Sequence, residues 1–130
     1  MCRVLHKNAA LMKARSIGFS EINASLAARL YTTIKRSRTV ITCFNDTYLN
    51  GTFSKLDHAL TFINTNADGF FKPRLTDKAL EKKSGYQIKI DGQFTDFGWL
   101  SVVKGINGSK PSNIRGERVD LLIYDEAGSW

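Results

Sequence analysis

The stretch VDLLIYDE, residues 119–126, decides the fold that we predict for this chain. Its first six residues are apolar except for Asp120, which predicts a buried β-strand. Asp125 and Glu126 follow at the carboxyl end of this strand, where ligands bind in open α/β sheets. Asp125 would hold Mg²⁺, and Glu126 would orient and deprotonate an attacking water. The alternative is a strand that ends in a solvated acidic turn.

Two helix patterns lie upstream of this strand. The first helix can be capped or opened by Ser20, and Ala27 and Tyr31 lie beside apolar residues at four-residue spacing on one of its faces. Those residues are Ile22, Leu26, Leu30 and Ile34. The second runs from Leu49 to Ile63 in steps of three and four, and Asn45 or Asp46 can cap its start. The sequence therefore predicts two amphipathic helices.

Strand patterns separate and follow the helices. Residues 9–12 form a short apolar run that fits a strand or a helix, and residues 39–44 are rich in β-branched side chains. Residues 86–90 alternate, Asp91 and Gly92 signal a turn, and a further strand is expected at residues 100–103. This order predicts an α/β fold with a mostly parallel sheet flanked by helices.

Length and charge narrow the class of protein. The 130 residues allow one domain, and 19 Lys and Arg against 12 Asp and Glu give a net charge of +7. Cys2 and Cys43 make no disulfide framework, and no segment approaches the roughly 18 apolar residues of a membrane span. The positive charge favours a polyanionic partner, which residues 35–38 or the basic segment 72–83 could contact.

The segment KARSIGFS, residues 13–20, follows the first predicted strand and opens the first predicted helix. Against the phosphate-loop pattern GxxxxGK[ST], Gly18 and Ser20 match, whereas Phe19 stands at the lysine position. Lys13 stands at the first glycine position, from which a lysine can reach a phosphate chain that the loop encloses. The helix start would bind phosphate, and the Ser20 hydroxyl would bind Mg²⁺. The alternative is that Gly18 only turns the chain and that Lys13 and Arg15 are solvated.

Taken together, these segments resemble the large terminase subunits, the ATPase motors that package DNA into capsids of tailed phages and herpesvirus-type viruses. KARSIGFSE, residues 13–21, resembles their deviant Walker A motif, and RGERVDLLIYDEAGSW, residues 115–130, resembles their Walker B region. TVITCFNDTYLNGTF, residues 39–53, and SKPSNIRG, residues 109–116, are similar as well. The resemblance covers nearly the whole chain and implies a partial P-loop NTPase fold of the ASCE type.

The resemblance implies a role for each matching residue. Lys13 would be the Walker A lysine, Asp125 the metal carboxylate and Glu126 the catalytic base. Arg115 matches the position of an arginine finger that acts on the neighbouring subunit, and Arg118 is its nearest rival. The implied nucleotide-binding loop, whose Ser20 also binds the metal, comprises Lys13, Arg15, Ser16, Ile17, Gly18, Phe19 and Ser20.

The resemblance also implies the biological role. The chain would be an ATP hydrolase that uses ATP and Mg²⁺ to drive double-stranded DNA into a capsid in the host cytoplasm. Its partners would be duplex DNA, the terminase small subunit, the portal protein and further copies in a ring of the full-length protein, with no membrane involved. Residues 1–130 would form a single truncated ATPase domain without the nuclease domain, and its activity alone is left open.

Two other functions fit parts of the sequence. A helicase-type motor would explain DEAG at residues 125–128, but such proteins rely on the lysine of GK[ST]. A small basic nucleic-acid-binding module without nucleotide chemistry would use a stacking surface of aromatic side chains. Its members would be Phe70, Phe71, Tyr86, Phe94 and Trp99.

Overall fold

A computed structural model of the chain describes residues 19–67, 74–109 and 118–125. Two helices and seven strands follow one another in these ranges. They are α1 (Phe19–Thr33), β1 (Arg38–Cys43), α2 (Asp46–Asn66), β2 (Arg74–Lys78), β3 (Glu81–Ser84), β4 (Tyr86–Ile90), β5 (Gln93–Phe97), β6 (Val102–Asn107) and β7 (Leu121–Tyr124). The strand expected at residues 9–12 lies outside the described residues.

Five strands form one mixed sheet in the order β2-β3-β6-β1-β7. Strand β1 pairs in parallel with β6 and β7, whereas β3 is antiparallel to both β2 and β6. The expected parallel sheet is therefore confirmed for three strands, and the hairpin β2–β3 was missed. The reason is that β3 reads EKKS, which contains no apolar residue and hence no hydrophobic pattern. Strands β4 and β5 form a separate two-stranded sheet.

Both described helices share one core with the sheet. Ile41 and Cys43 of β1, Val103 of β6 and Ile123 of β7 are buried in the same apolar cluster as residues of α1 and α2. Side chains alternate along a strand, so this face of the sheet is the one that carries the helices. Asp125 is two residues after Ile123, so its side chain is expected on this same face.

The first helix is confirmed, but the prediction of its inner face is wrong in part. Ile22 and Leu26 are 57% and 40% exposed, although Leu30 is buried. The buried face consists mainly of alanine together with Tyr31: Ala24, Ala27 and Ala28. Small side chains let two helices approach closely, which explains why alanine rather than the larger residues faces α2.

The second helix is confirmed with its cap and its core face. The Asn45 side chain accepts a hydrogen bond from the Tyr48 backbone N–H at 3.0 Å. Phe53 on the inner face lies against Gly105 of β6, where an added Cβ would come within 2.7 Å of the ring. Glycine at this position lets α2 lie close to the sheet.

Strand β4 and the turn after it are confirmed, since Asp91 and Gly92 both have positive φ. The strand expected at residues 100–103 was placed too early. Leu100 has φ 58°, which is incompatible with a strand, and β6 begins at Val102. Strand β5, which pairs with β4, was not predicted.

Strand β7 is shorter and more exposed than its apolar sequence predicts. Only Ile123 of its four residues is buried, and Leu122 and Tyr124 are 41% and 43% exposed. The physical reason is that β7 is the end strand of the sheet formed by the described residues and pairs there with β1. Over the described ranges, neither helix is apolar enough over a sufficient length to cross a membrane.

Candidate functional site

Asp125 is buried at the carboxyl end of β7, with 3% of its surface exposed. Its backbone N–H donates to the Thr42 carbonyl at 3.0 Å, which extends the pairing of β7 with β1 by one residue. Alternation along the chain places its side chain on the same face as Ile123, towards the two helices. A buried carboxylate needs hydrogen-bond donors, and those helices supply them.

The first donor is Ser20 in the first turn of α1. Its hydroxyl lies 3.0 Å from Asp125 Oδ2, across a sequence separation of 105 residues. The structure therefore brings together the two residues that the sequence analysis selected as metal ligands. The contact also places the start of α1 at the carboxyl edge of the parallel strands, where its backbone N–H groups and helix dipole favour an anion.

The second donor is Thr52 of α2, which the sequence analysis missed. Its hydroxyl lies 3.2 Å from the same oxygen, Asp125 Oδ2, and 3.1 Å from the Tyr48 carbonyl. A signal was present, because Thr52 is three residues after Leu49 and so lies on the predicted inner face of the helix. A hydroxyl on a buried helix face needs a polar partner, and only the tertiary structure identifies that partner as Asp125.

The side-chain oxygens of Asp125 and Ser20 match the coordination preferences of Mg²⁺. Mg²⁺ binds oxygen ligands and in nucleotide sites uses one or two carboxylates, with waters and substrate phosphates completing the shell. Asp125 and Ser20 provide one carboxylate and one hydroxyl at adjacent positions. No group of three or more His, Cys, Asp or Glu side chains occurs within the part of the chain that the structure describes. One carboxylate and one hydroxyl would leave the other positions of a Mg²⁺ shell to waters or substrate phosphates.

A polar pair orders the neighbouring part of the same edge. The Asn107 side chain, at the end of β6, donates to Asp46 Oδ1 at 2.7 Å and accepts from the Ser109 backbone N–H at 2.9 Å. Asp46 begins α2, so this contact fixes the start of α2 against the sheet. Strand ends and helix starts thus meet at one edge.

Most of the other candidate site residues lie outside the described residues, and their roles stay predictions. They are Lys13, Arg15, Ser16, Ile17, Gly18, Arg115 and Glu126. Phe19 is described as the first residue of α1. The described part of the site thus consists of Ser20, Asp125 and the unpredicted Thr52.

The candidate nucleic-acid surfaces lie elsewhere. Lys35, Arg36 and Arg38 are exposed around the amino end of β1, at the opposite end of that strand from Asp125. In the β4–β5 hairpin, Tyr86 pairs with Phe97, and Lys89 pairs with Phe94. Paired residues share a face, and Lys89 is three residues after Tyr86 along β4. Tyr86 and Phe94 therefore lie on opposite faces of the hairpin. A single stacking surface cannot include both rings.

The fold is similar to that of a solved large terminase ATPase domain. The chain is similar to the solved large terminase ATPase domain of Thermus phage P74-26, with a TM-score of 0.68 and 19% identity over 87% of this chain. An arginine-to-alanine variant of that domain matches at 18% identity with the same TM-score and the same coverage. This chain spans 45% of the length of each solved chain. No family model and no curated protein matches the sequence.

Proposed function

We propose that this chain corresponds to the nucleotide-binding part of the ATPase domain of a phage large terminase subunit. It would bind Mg²⁺-ATP, and hydrolysis would drive double-stranded DNA into a capsid. The single observation that carries this proposal is the 3.0 Å hydrogen bond between Ser20 Oγ and Asp125 Oδ2. In a P-loop NTPase, the phosphate-loop serine and the Walker B aspartate hold the same metal ion.

The fold supports the proposal independently of the motifs. The similarity to the terminase ATPase domain of the Thermus phage is in the path of the backbone, since only 19% of the residues are identical. The hydrogen bond then lies at the carboxyl edge of the parallel strands, where open α/β sheets bind ligands. Fold and side-chain chemistry therefore favour the same edge of the sheet.

Each residue of the proposed site has one task. Ser20 and Asp125 would hold Mg²⁺, which when bound supplies positive charge that neutralises the phosphates. Lys13 would contact the phosphates, Glu126 would take the proton of the attacking water, and Arg115 would stabilise charge on the transferring phosphoryl group in a neighbouring subunit. Arg15, Ser16, Ile17, Gly18 and Phe19 would complete the phosphate loop.

The wider role belongs to the full-length protein. Duplex DNA, the small subunit, the portal protein and a ring of identical subunits would be its partners in the host cytoplasm. The net charge of +7 is consistent with a polyanionic partner, and no described residue is assigned to DNA.

Binding of a fluorescent ATP analogue, with Mg²⁺ and with EDTA, tests the proposal on the full chain. The unsubstituted protein is expected to bind more tightly with Mg²⁺. Asp125→Asn should abolish this Mg²⁺ enhancement, because it removes the negative charge of a metal ligand. Ser20→Ala should reduce the enhancement about 10-fold or more, because it removes a hydroxyl ligand. Lys13→Ala should weaken binding about 10-fold or more by removing a contact to charged phosphate.

Matched substitutions on the same helices serve as controls. Ser25→Ala changes an exposed serine of α1, and Lys55→Ala changes a half-buried lysine of α2. Both should bind like the unsubstituted protein. Equal affinity of the unsubstituted protein with Mg²⁺ and with EDTA would contradict the proposed function.

A further inference from the structure

Thr52 differs from the other hydrogen-bonded threonines of α2. Thr61 and Thr65 donate to the carbonyl four residues earlier, at 2.8 and 2.9 Å, and this is the ordinary contact of a helical threonine. Thr52 makes the corresponding contact to Tyr48 at 3.1 Å and has a second acceptor, Asp125 Oδ2, at 3.2 Å. Its hydroxyl is therefore placed between two acceptors.

A hydroxyl has one proton, so the stronger acceptor decides where that proton points. An ionised carboxylate accepts a stronger hydrogen bond than a neutral carbonyl does. The Thr52 proton is therefore directed at the Asp125 carboxylate. Thr52 is 2% exposed and Asp125 is 3% exposed, so this contact is shielded from bulk water.

Two helices consequently hold one carboxylate oxygen. Ser20 reaches Asp125 Oδ2 from α1, and Thr52 reaches it from α2. The Ser20 oxygen is itself a proposed metal ligand, so its position depends on the metal. Thr52 has no such second task, and its contact with Asp125 can persist whether or not the metal is bound.

We propose that Thr52 is a positioning residue that fixes the orientation of the Asp125 carboxylate for Mg²⁺ binding. This inference rests on the proposed function and adds a residue of α2 to the site. Thr52 acts through Asp125 and contacts neither metal nor nucleotide. Groups that orient a metal ligand in this way typically change metal affinity by about 10- to 100-fold when they are removed.

Thr52→Val tests the inference, because it removes the hydroxyl and keeps the shape of the side chain. We measure the Mg²⁺ concentration that gives half of the Mg²⁺-dependent binding of the fluorescent ATP analogue, and separately the affinity in EDTA. Thr52→Val should raise the half-saturating Mg²⁺ concentration about 10-fold or more and leave the affinity in EDTA within about twofold. Thr52→Ser restores the hydroxyl and should bring the Mg²⁺ response back to within about threefold of the unsubstituted protein.

Thr61→Val is the matched control, because it removes a hydroxyl that donates to a backbone carbonyl of the same helix and to no carboxylate. It should leave the Mg²⁺ response unchanged. If Thr52→Val does not fold, Thr52→Ala removes the same hydroxyl with less bulk and provides the same comparison.

The outcomes separate the two proposals. A Mg²⁺ response of Thr52→Val equal to that of the unsubstituted protein would overturn this inference and leave the proposed function standing. Equal loss in Thr52→Val and Thr52→Ser would also overturn it, because packing and not the hydroxyl would then be responsible. Failure of the unsubstituted protein to respond to Mg²⁺ would overturn the proposed function and the inference together.

Discussion

Replacing Gly105 with alanine tests how closely α2 must approach the sheet. A Cβ at this position of β6 would lie 2.7 Å from Phe53 Cε2, 3.2 Å from Phe53 Cδ2 and 3.3 Å from Leu49 Cδ1. Phe53 is 2% exposed and Leu49 is fully buried, so neither side chain can turn outwards into solvent. Either the Phe53 ring or the helix that carries it therefore has to shift within the core.

The expected cost follows from these distances. Non-bonded carbon atoms pack best at about 3.5–4.0 Å, so the closest contact is about 1 Å too short. Overpacking of this kind lowers the free energy of unfolding by about 1–3 kcal/mol. Alanine also has a less flexible backbone than glycine in the unfolded chain, which raises the free energy of unfolding by about 0.5–1 kcal/mol. Taking the middle of each range, we expect Gly105→Ala to lower the free energy of unfolding by about 1 kcal/mol.

Urea unfolding followed by circular dichroism measures this change, with Gly51→Ala as the control. Gly51 lies in α2, and nothing lies within 4 Å of its added Cβ. Gly51→Ala should therefore raise the free energy of unfolding by about 0.5–1 kcal/mol, the usual gain of alanine over glycine in a helix.

Phe53→Leu in the Gly105→Ala background removes the crowded ring. The two substitutions should couple favourably by about 0.5 kcal/mol or more, which a double-mutant cycle detects. Because Thr52 precedes Phe53, Gly105→Ala should also weaken the Mg²⁺ response. Unchanged stability of Gly105→Ala, or strict additivity with Phe53→Leu, would refute the close approach of α2.

Two further predictions concern the helix start and the hairpin. Asn45→Ala should lower the free energy of unfolding by about 1 kcal/mol, because the Tyr48 N–H loses its acceptor, and Asn45→Asp should retain the cap; equal unfolding midpoints for the two variants would contradict this. The Asp96 pKa is lowered from 3.8 because Gln87 and Lys83 donate to its carboxylate. The contribution of these contacts is therefore present above pH 3.8 and is lost as the pH falls through the lowered pKa. Gln87→Ala should raise this pKa towards 3.8, and an unchanged NMR titration of the Asp96 carboxyl carbon would contradict the assignment.

Apolar patterns in the sequence predicted those helices and strands whose buried residues are themselves apolar. The second helix was predicted from the apolar steps between Leu49 and Ile63, and the structure extends it to Asp46–Asn66. Its cap, Asn45, is one of the two capping residues that the sequence offered, because a capping residue is a local signal. Strand β1 was predicted for the same reason, since it is buried on both faces and rich in β-branched residues. Strand β3 was missed because its burial comes from its neighbours and not from apolar side chains of its own.

The sequence was least able to predict which side chains of a helix or strand are buried against the neighbouring element. Ile22 and Leu26 are more hydrophobic than the alanines of α1, yet the alanines face the core because close helix packing selects small side chains. Leu122 and Tyr124 are exposed because β7 ends the sheet of the described residues. In both cases, the neighbouring element decided which side chains are buried.

The sequence by itself determined the chemical groups of the candidate site. Asp125 after an apolar strand and Ser20 at a helix start were selected because strand ends and helix starts are where α/β folds bind phosphate and metal. Only the tertiary structure decided that these groups meet at 3.0 Å and that Thr52 joins them. The physical reason is that a hydrogen bond depends on distances of a few tenths of an ångström, which the packing of α1 and α2 on the sheet sets and local sequence patterns do not.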